Sequence, residues 1–156
     1  MDEEQQQISG PLRVGMIWGG FGGVAAFAAS LLVPHLGGLL AAIFIGVICG
    51  RRAVSPGDEN AASNGVVSGL LAAPVLVLGA AAGTMLTAQQ IGMEEFATVM
   101  NDVAGASVTA QEAWRLFVGG VALMAVLQAA VLILTSVLAA NRAAGKKGNG
   151  SGEDDS

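Results

Sequence analysis

Long uncharged apolar segments alternate with short polar segments along this chain. No Asp, Glu, Lys or Arg occurs in residues 14–50, 61–93 or 116–141. An α-helix needs about twenty apolar residues to cross a hydrocarbon core about 30 Å thick. The pattern therefore predicts an all-α protein whose long helices lie in a membrane, with the lipid bilayer as its first partner.

The apolar segments predict a four-helix transmembrane bundle that occupies one domain, residues 14–140. The predicted spans are residues 14–33, 36–54, 66–85 and 116–140. The first two are separate because one helix over residues 14–50 would be about 55 Å long, too long for a single crossing. Pro34 and His35 supply the turn between them. The second span is short, and a re-entrant hairpin that does not cross the bilayer is its alternative.

Local motifs refine these boundaries. Residues 55–60 (Ser-Pro-Gly-Asp-Glu-Asn) combine turn-forming residues and predict a loop. Pro74 lies inside the third span, where neighbouring helices can accommodate a kink. Thr109 and Glu112 form a capping-box pattern, which predicts that the fourth helix begins close to them.

The loop between the third and fourth spans contains a helical pattern of its own. Phe96, Val99, Met100 and Val103 recur at the spacing of one helix face. This spacing predicts a short amphipathic helix, either on the outer membrane surface or against the end of the bundle. A partly ordered loop is the alternative.

Charge sets the expected orientation. The chain is only 12% charged and 53% hydrophobic, with a net charge of −5. Six basic residues fall on one side of the four-span arrangement and Arg115 alone falls on the other. The six are Arg13, Arg51, Arg52, Arg142, Lys146 and Lys147. Because Lys and Arg accumulate on the cytoplasmic side, we expect a multi-pass protein of the cell membrane with both termini cytoplasmic. Residues 1–13 form its N-terminal segment and residues 141–156 a disordered acidic tail.

Small residues recur at every fourth position on three of the predicted helices. Such a stripe allows another helix backbone to approach closely. The helix-packing candidates are Gly15, Gly19, Gly23, Gly38, Ala42, Gly46, Gly50, Gly65, Gly69, Gly79, Gly83 and Gln128. The glycine stripes are expected to pack within the bundle, and homo-oligomerisation is the alternative. Gln128 is expected to hydrogen-bond between helices, to Ser68, Thr84 or backbone freed by Pro74.

Candidate chemistry is sparse. No ionisable side chain lies within the apolar cores of the predicted spans, whereas proton relays and ion-coupled transport normally need one. His35 stands alone, without a second metal ligand nearby. Cys49 is the only cysteine, which excludes an intramolecular disulfide. We therefore expect no catalytic, cofactor or metal site, no nucleic-acid partner and no identifiable small-molecule substrate.

One resemblance to a known family stands out. It is carried by residues 19–23 (Gly-Gly-Phe-Gly-Gly), Pro34, residues 37–38 (Gly-Gly), residues 46–52 and residues 64–73. Over about residues 12–85 the chain resembles a domain-of-unknown-function family of small haloarchaeal membrane proteins. These proteins place a glycine-rich helical hairpin before a third helix with a polar Asn/Asp-Gly start. The resemblance implies an extreme-halophile membrane and supplies no activity.

These expectations favour a non-enzymatic membrane protein of structural or accessory type. It would act through glycine-zipper packing of its helices and associate with itself or with a larger membrane complex. A small oligomeric pore, holin-like in general form, is the alternative hypothesis.

Overall fold

The computed structural model describes residues 2–34, 36–105 and 107–145, which form helices and connecting loops and contain no strand. The five helices are α1 (Asp2–Leu32), α2 (Leu36–Arg52), α3 (Ala61–Ile91), α4 (Met93–Ala104) and α5 (Ala110–Ala144). The predicted all-α class is confirmed. His35 and most of the predicted acidic tail, residues 146–156, lie outside the described residues.

Within the described ranges, three helices are long and apolar enough to cross a membrane. They are α1 from Gly10 to Leu32, α3 and α5. α2 has only seventeen residues, which at 1.5 Å per residue is about 25 Å, the lower limit for a span. Three candidate spans are therefore established, and the fourth predicted span stays a prediction.

The helices extend beyond the apolar segments that predicted them. α3 begins at Ala61 and includes the polar residues before the predicted span, and Pro74 lies within it. α5 begins directly after Thr109, whose side chain accepts a hydrogen bond from the Glu112 N–H in a complete capping box. The capping-box prediction is therefore confirmed.

The short helix predicted between the third and fourth spans exists as α4. Its bundle-facing side includes Ala97, with Phe96 and Met100 half-buried. Val99 and Val103 of the predicted stripe are instead 53% and 83% exposed. Only half of the predicted apolar face therefore packs onto the bundle.

The four longer helices pack as a ring in the order α1, α3, α5, α2, and α2 also contacts α3 across the centre. Gly15 lies beside Ser68 and Gly19 beside Ala72, so α1 and α3 run parallel. α2 and α5 are also parallel, as their contacts advance together along both helices. α4 packs on α5 and touches α3.

The interior of this bundle is made of small residues and its surface of large ones. Twelve of the seventeen buried hydrophobic residues in the described part of the chain are alanines. In contrast, Phe44, Leu78 and Leu123 are each about 70% exposed. Water-soluble proteins bury such side chains preferentially, whereas membrane helices place small residues at their contacts. The distribution suits an apolar solvent around the bundle.

Candidate functional site

Glycines bring α1 onto α3 at backbone distance. The α1 contributors are Gly15, Gly19 and Gly23. A Cβ atom placed on Gly19 would lie 2.8 Å from the Cα of Ala72, and one on Gly23 would lie 2.8 Å from the carbonyl oxygen of Val75. Real Cβ atoms essentially never come within 3.0 Å of such neighbours. The two helices can therefore run this close only because these positions lack a side chain.

α3 supplies the glycines farther along the same interface. A Cβ on Gly79 would meet the carbonyl group of Gly23 and lie 2.9 Å from its Cα. A Cβ on Gly83 would lie 2.6 Å from the carbonyl oxygen of Phe27. Glycines of α1 thus face α3 in the first half of the interface, and glycines of α3 face α1 in the second half.

The small residues of α2 pack against α5. The α5 contacts are made at Gly38, Gly46 and Gly50, and Ala42 belongs to the same stripe. A Cβ on Gly46 would lie 2.7 Å from the carbonyl oxygen of Leu132, and one on Gly50 would lie 2.9 Å from the Cβ of Ala139. Ala42 is completely buried. This stripe therefore faces a neighbouring helix of the same chain.

Two further glycines of α3 contact α5. A Cβ on Gly65 would lie 2.9 Å from the Cα of Val137, and one on Gly69 would lie 3.1 Å from the Cα of Ile133. α3 therefore presents different glycines to different neighbours, with residues 65 and 69 facing α5 and residues 79 and 83 facing α1.

Two buried serines connect α3 and α5 by hydrogen bonds. The Ser136 hydroxyl donates to the carbonyl oxygen of Gly65 at 2.8 Å, and the Ser136 and Ser68 hydroxyl oxygens are 3.2 Å apart. The Ser68 hydroxyl also lies 3.2 Å from the Gly65 carbonyl oxygen. Because the Ser136 hydroxyl donates its hydrogen to the Gly65 carbonyl oxygen, the Ser68 hydroxyl can donate either to the Ser136 hydroxyl oxygen or to the same carbonyl oxygen. Ser68 thus hydrogen-bonds with Ser136 and not with its predicted partner Gln128. No role was predicted for Ser136 from the sequence, because nothing in its spacing distinguishes it from other residues of the fourth span.

Gln128 lies where α2, α3 and α5 meet. Its side chain is 4% exposed, and a Cβ on Gly38 would collide with its amide and lie 2.8 Å from the Cβ of Ala80. Gln128 and Thr84 line a cavity of about 10 Å³ between α3 and α5. That volume is close to the minimum that one water molecule occupies. Gln128 therefore packs at the junction of three helices. It lines the same small cavity as Thr84, one of its predicted partners.

Ser30 of α1 has a fully enclosed hydroxyl group. Its side chain is completely buried and its hydroxyl has no hydrogen-bond partner among the described residues. A Cβ on Gly83 would lie 3.0 Å from the Ser30 Cβ, so this serine fills part of the α1–α3 interface. A small side chain fits at this close contact, but the Ser30 hydroxyl is a buried polar group without a hydrogen bond in the described part of the chain.

Other glycines divide into packed and open positions. Gly22 and Gly37, which the every-fourth pattern does not include, join α1 to α2: a Cβ on Gly22 would lie 2.9 Å from Cγ1 of Ile45. A Cβ on Gly37 would collide with the Ala29 backbone. By contrast, a Cβ on Gly119 or on Gly120 would meet nothing within 4 Å.

The end of the bundle that carries the α2–α3 loop has its own polar contacts. The Arg52 guanidinium lies over the Trp18 ring, 5.0 Å from its centroid. Both carboxylate oxygens of Asp58 accept hydrogen bonds, one from the Asn60 N–H and one from the Asn64 side chain, each at 2.9 Å. The Arg52–Trp18 contact joins α2 to α1, and the Asp58–Asn64 hydrogen bond joins the loop to the start of α3.

The opposite end carries α4 and the start of α5. Phe96 of α4 packs edge-on against Phe117 with ring centroids 5.1 Å apart. At the first turn of α5 the backbone N–H and hydroxyl of Thr109 donate to the Glu112 carboxylate at 2.9 and 2.8 Å. The backbone hydrogen bond, with a further contribution from the hydroxyl, lowers the pKa of Glu112 below its ordinary value.

The contacts described above join helices to one another or join loops to helix ends. In the parts of the chain that the structure describes, no three His, Cys, Asp or Glu side chains are grouped as a metal site requires. Cys49 is a free, buried thiol. No protein-family model, curated protein or solved structure matches this chain.

Proposed function

We propose that the chain is a non-enzymatic integral membrane protein of structural or accessory type, built as a four-span bundle. In this proposal α1, α2, α3 and α5 cross the cell membrane, α4 lies at the outer surface, and both termini are cytoplasmic. The observation that carries it is the reversed packing, with glycine and alanine at the helix contacts and large apolar side chains outside. Lipid can solvate those side chains, whereas water would not.

The position of α2 supports a fourth span. α2 packs against α1, α3 and α5, and its glycines follow α5 from Gln128 to Ala139. This alignment beside the neighbouring candidate spans supports a crossing by α2. Arg51 and Arg52 form its last turn, where long basic side chains can extend to the membrane interface.

The proposed orientation follows from the distribution of arginines. Arg52 contacts Trp18 near the start of the α1 candidate span, and Arg51 shares a cleft with Arg142 near the end of α5. Arg115 lies near the opposite end, in the first turns of α5. The excess of basic residues at one end supports a cytoplasmic location for that end.

Cysteine labelling tests this arrangement. In a Cys49→Ala background, Glu59→Cys places a thiol in the α2–α3 loop and Glu95→Cys places one in α4. We expect a membrane-impermeant maleimide to label residue 95 on intact cells and residue 59 only after permeabilisation. If α2 failed to cross, the Glu59 position would be outside and the Glu95 position inside, which reverses both results.

The structural role makes a separate prediction about conductance. A pore built on the glycine faces requires them to be available between subunits, but these faces contact other helices of the same chain. Full-length protein reconstituted in planar bilayers is therefore expected to pass no current at any protein density. Discrete channel openings would reject the structural role in favour of a permeation function.

The family resemblance leads to a proposal about the salt concentration in which the protein works. An origin in an extreme-halophile membrane agrees with the net charge of −5, since concentrated salt screens repulsion between acidic groups. The melting temperature in neutral detergent is expected to rise between dilute and molar KCl, and no rise would count against this origin.

A further inference from the structure

The parallel packing of α2 and α5 places their carboxyl-terminal ends side by side. Arg51 lies in the last turn of α2 and Arg142 in the last turn of α5. Both side chains are exposed, and both line one cleft of about 150 Å³ between the helices. Two guanidinium groups from distant parts of the sequence thus border a single concave surface.

The remainder of the cleft is mostly apolar. Val47, Leu138 and Ala139 form its apolar walls, and Thr135 is the remaining lining residue. The Thr135 hydroxyl donates to carbonyl oxygens of its own helix, at 2.8 Å to Val131 and 3.0 Å to Leu132. The cleft therefore combines two cationic groups with a surface suited to hydrocarbon.

The arginine charges have no acidic partner within the described residues. No ion pair joins Arg51 or Arg142 to an acidic side chain there. Asp58 belongs to the loop that touches the end of α5, where the Gly57 N–H donates to the Ala144 carbonyl oxygen at 3.0 Å. Both Asp58 oxygens already accept hydrogen bonds from Asn60 and Asn64. Among the described residues, those that line the cleft therefore carry two positive charges and no negative charge.

We propose that this cleft binds an anionic phospholipid. Arg51 and Arg142 would hydrogen-bond the phosphate oxygens, because a guanidinium presents paired N–H donors that match phosphate geometry. Val47 and Leu138 would contact the start of one acyl chain. Basic pockets between helices on the cytoplasmic side bind anionic head groups in this way. A lipid of net negative charge is favoured because a choline head group would place a cation next to the arginines.

Arg52 provides a matched control in the same turn of α2. Its guanidinium lies over the ring of Trp18 on α1, and it is not among the residues that line the cleft. Arg52→Gln removes the same charge at the same end of the bundle. Arg115→Gln removes one at the opposite end.

Native mass spectrometry of the full chain in neutral detergent can measure the binding. Phosphatidylglycerol, phosphatidylcholine and inorganic phosphate are the three probes, and we expect retention of phosphatidylglycerol alone. Arg51→Gln and Arg142→Gln should each weaken its binding by about fivefold, while the two control variants stay close to the original protein. Equal binding by all variants, equal loss in Arg52→Gln, or comparable binding of phosphate or phosphatidylcholine would each overturn the lipid site.

This inference rests on the proposed membrane arrangement, and its failure can be told apart from that of the proposal. The cysteine-labelling experiment reports orientation without reference to bound lipid. Labelling as expected together with unselective lipid binding overturns only the lipid site. Reversed labelling with selective binding at Arg51 and Arg142 overturns the proposed membrane arrangement and leaves the lipid site standing. Circular dichroism and melting in phosphatidylcholine-containing micelles verify that every variant is folded.

Discussion

Gly79 of α3 lies against Gly23 of α1 so closely that a Cβ on Gly79 would meet the Gly23 carbonyl group and lie 2.9 Å from its Cα. Both partners are backbone at this point, so the contact cannot relax by rotating a side chain. At such a contact in lipid, where burial of apolar area adds little, the stabilisation comes from dispersion between closely packed atoms.

Replacement of Gly79 by alanine is therefore expected to force α1 and α3 apart. Overpacking of this kind costs about 1–3 kcal/mol. The free energy of unfolding, measured by titration with sodium dodecyl sulfate in mixed micelles, should fall by an amount in that range. Gly119→Ala is the matched control, because its Cβ meets nothing within 4 Å. It should leave stability unchanged or raise it by up to about 1 kcal/mol through helix propensity. Equal effects of the two substitutions would contradict the close backbone contact.

The buried serines differ in what their hydroxyl groups contact. Ser136→Ala removes the hydrogen bond to the Gly65 carbonyl oxygen and should reduce the free energy of unfolding by about 1 kcal/mol. Ser30→Ala removes a buried hydroxyl that has no partner among the described residues, and should leave stability unchanged or increase it. The same titration measures both variants. A larger loss for Ser30→Ala than for Ser136→Ala would reverse the assignment of partners.

The apolar segments predicted the all-α class, helical spacing predicted α4, and the Thr109–Glu112 pattern predicted the capping box. Each of these depends on residues close together in sequence. The stripes of small residues also identified faces capable of close packing. Spacing alone could not assign their partners: α3 uses Gly65 and Gly69 toward α5 but Gly79 and Gly83 toward α1. That division depends on the ring order of the helices. Gly22, which faces α2, and Gly37, which faces α1, were not predicted as packing residues because both lie outside the every-fourth stripes.

The length of α2 predicts a dependence on bilayer thickness. If α2 crosses the membrane as proposed, its seventeen residues match only a thin hydrocarbon layer, and mismatch costs a fraction of a kcal/mol per Å. Dimyristoleoyl, dioleoyl and dierucoyl phosphatidylcholine form bilayers of increasing thickness. The protein reconstituted into them should resist unfolding progressively less in that order. Limited proteolysis of the reconstituted protein on raising the temperature measures this resistance. Equal resistance in all three lipids would show that α2 is not constrained by bilayer thickness.

The Thr109–Glu112 capping box predicts a pH dependence at the start of α5. Hydrogen bonds from Thr109 lower the pKa of Glu112 in the folded protein. Its contribution is therefore fully present above the unfolded pKa of about 4.3 and is lost as pH falls through the lower, folded value. Amide hydrogen exchange at residues 110–113, corrected for intrinsic rates, should accelerate in that acidic window. Glu112→Gln should show little of this acceleration, whereas Glu94→Gln should retain it. An unchanged profile in Glu112→Gln would assign the transition to another group.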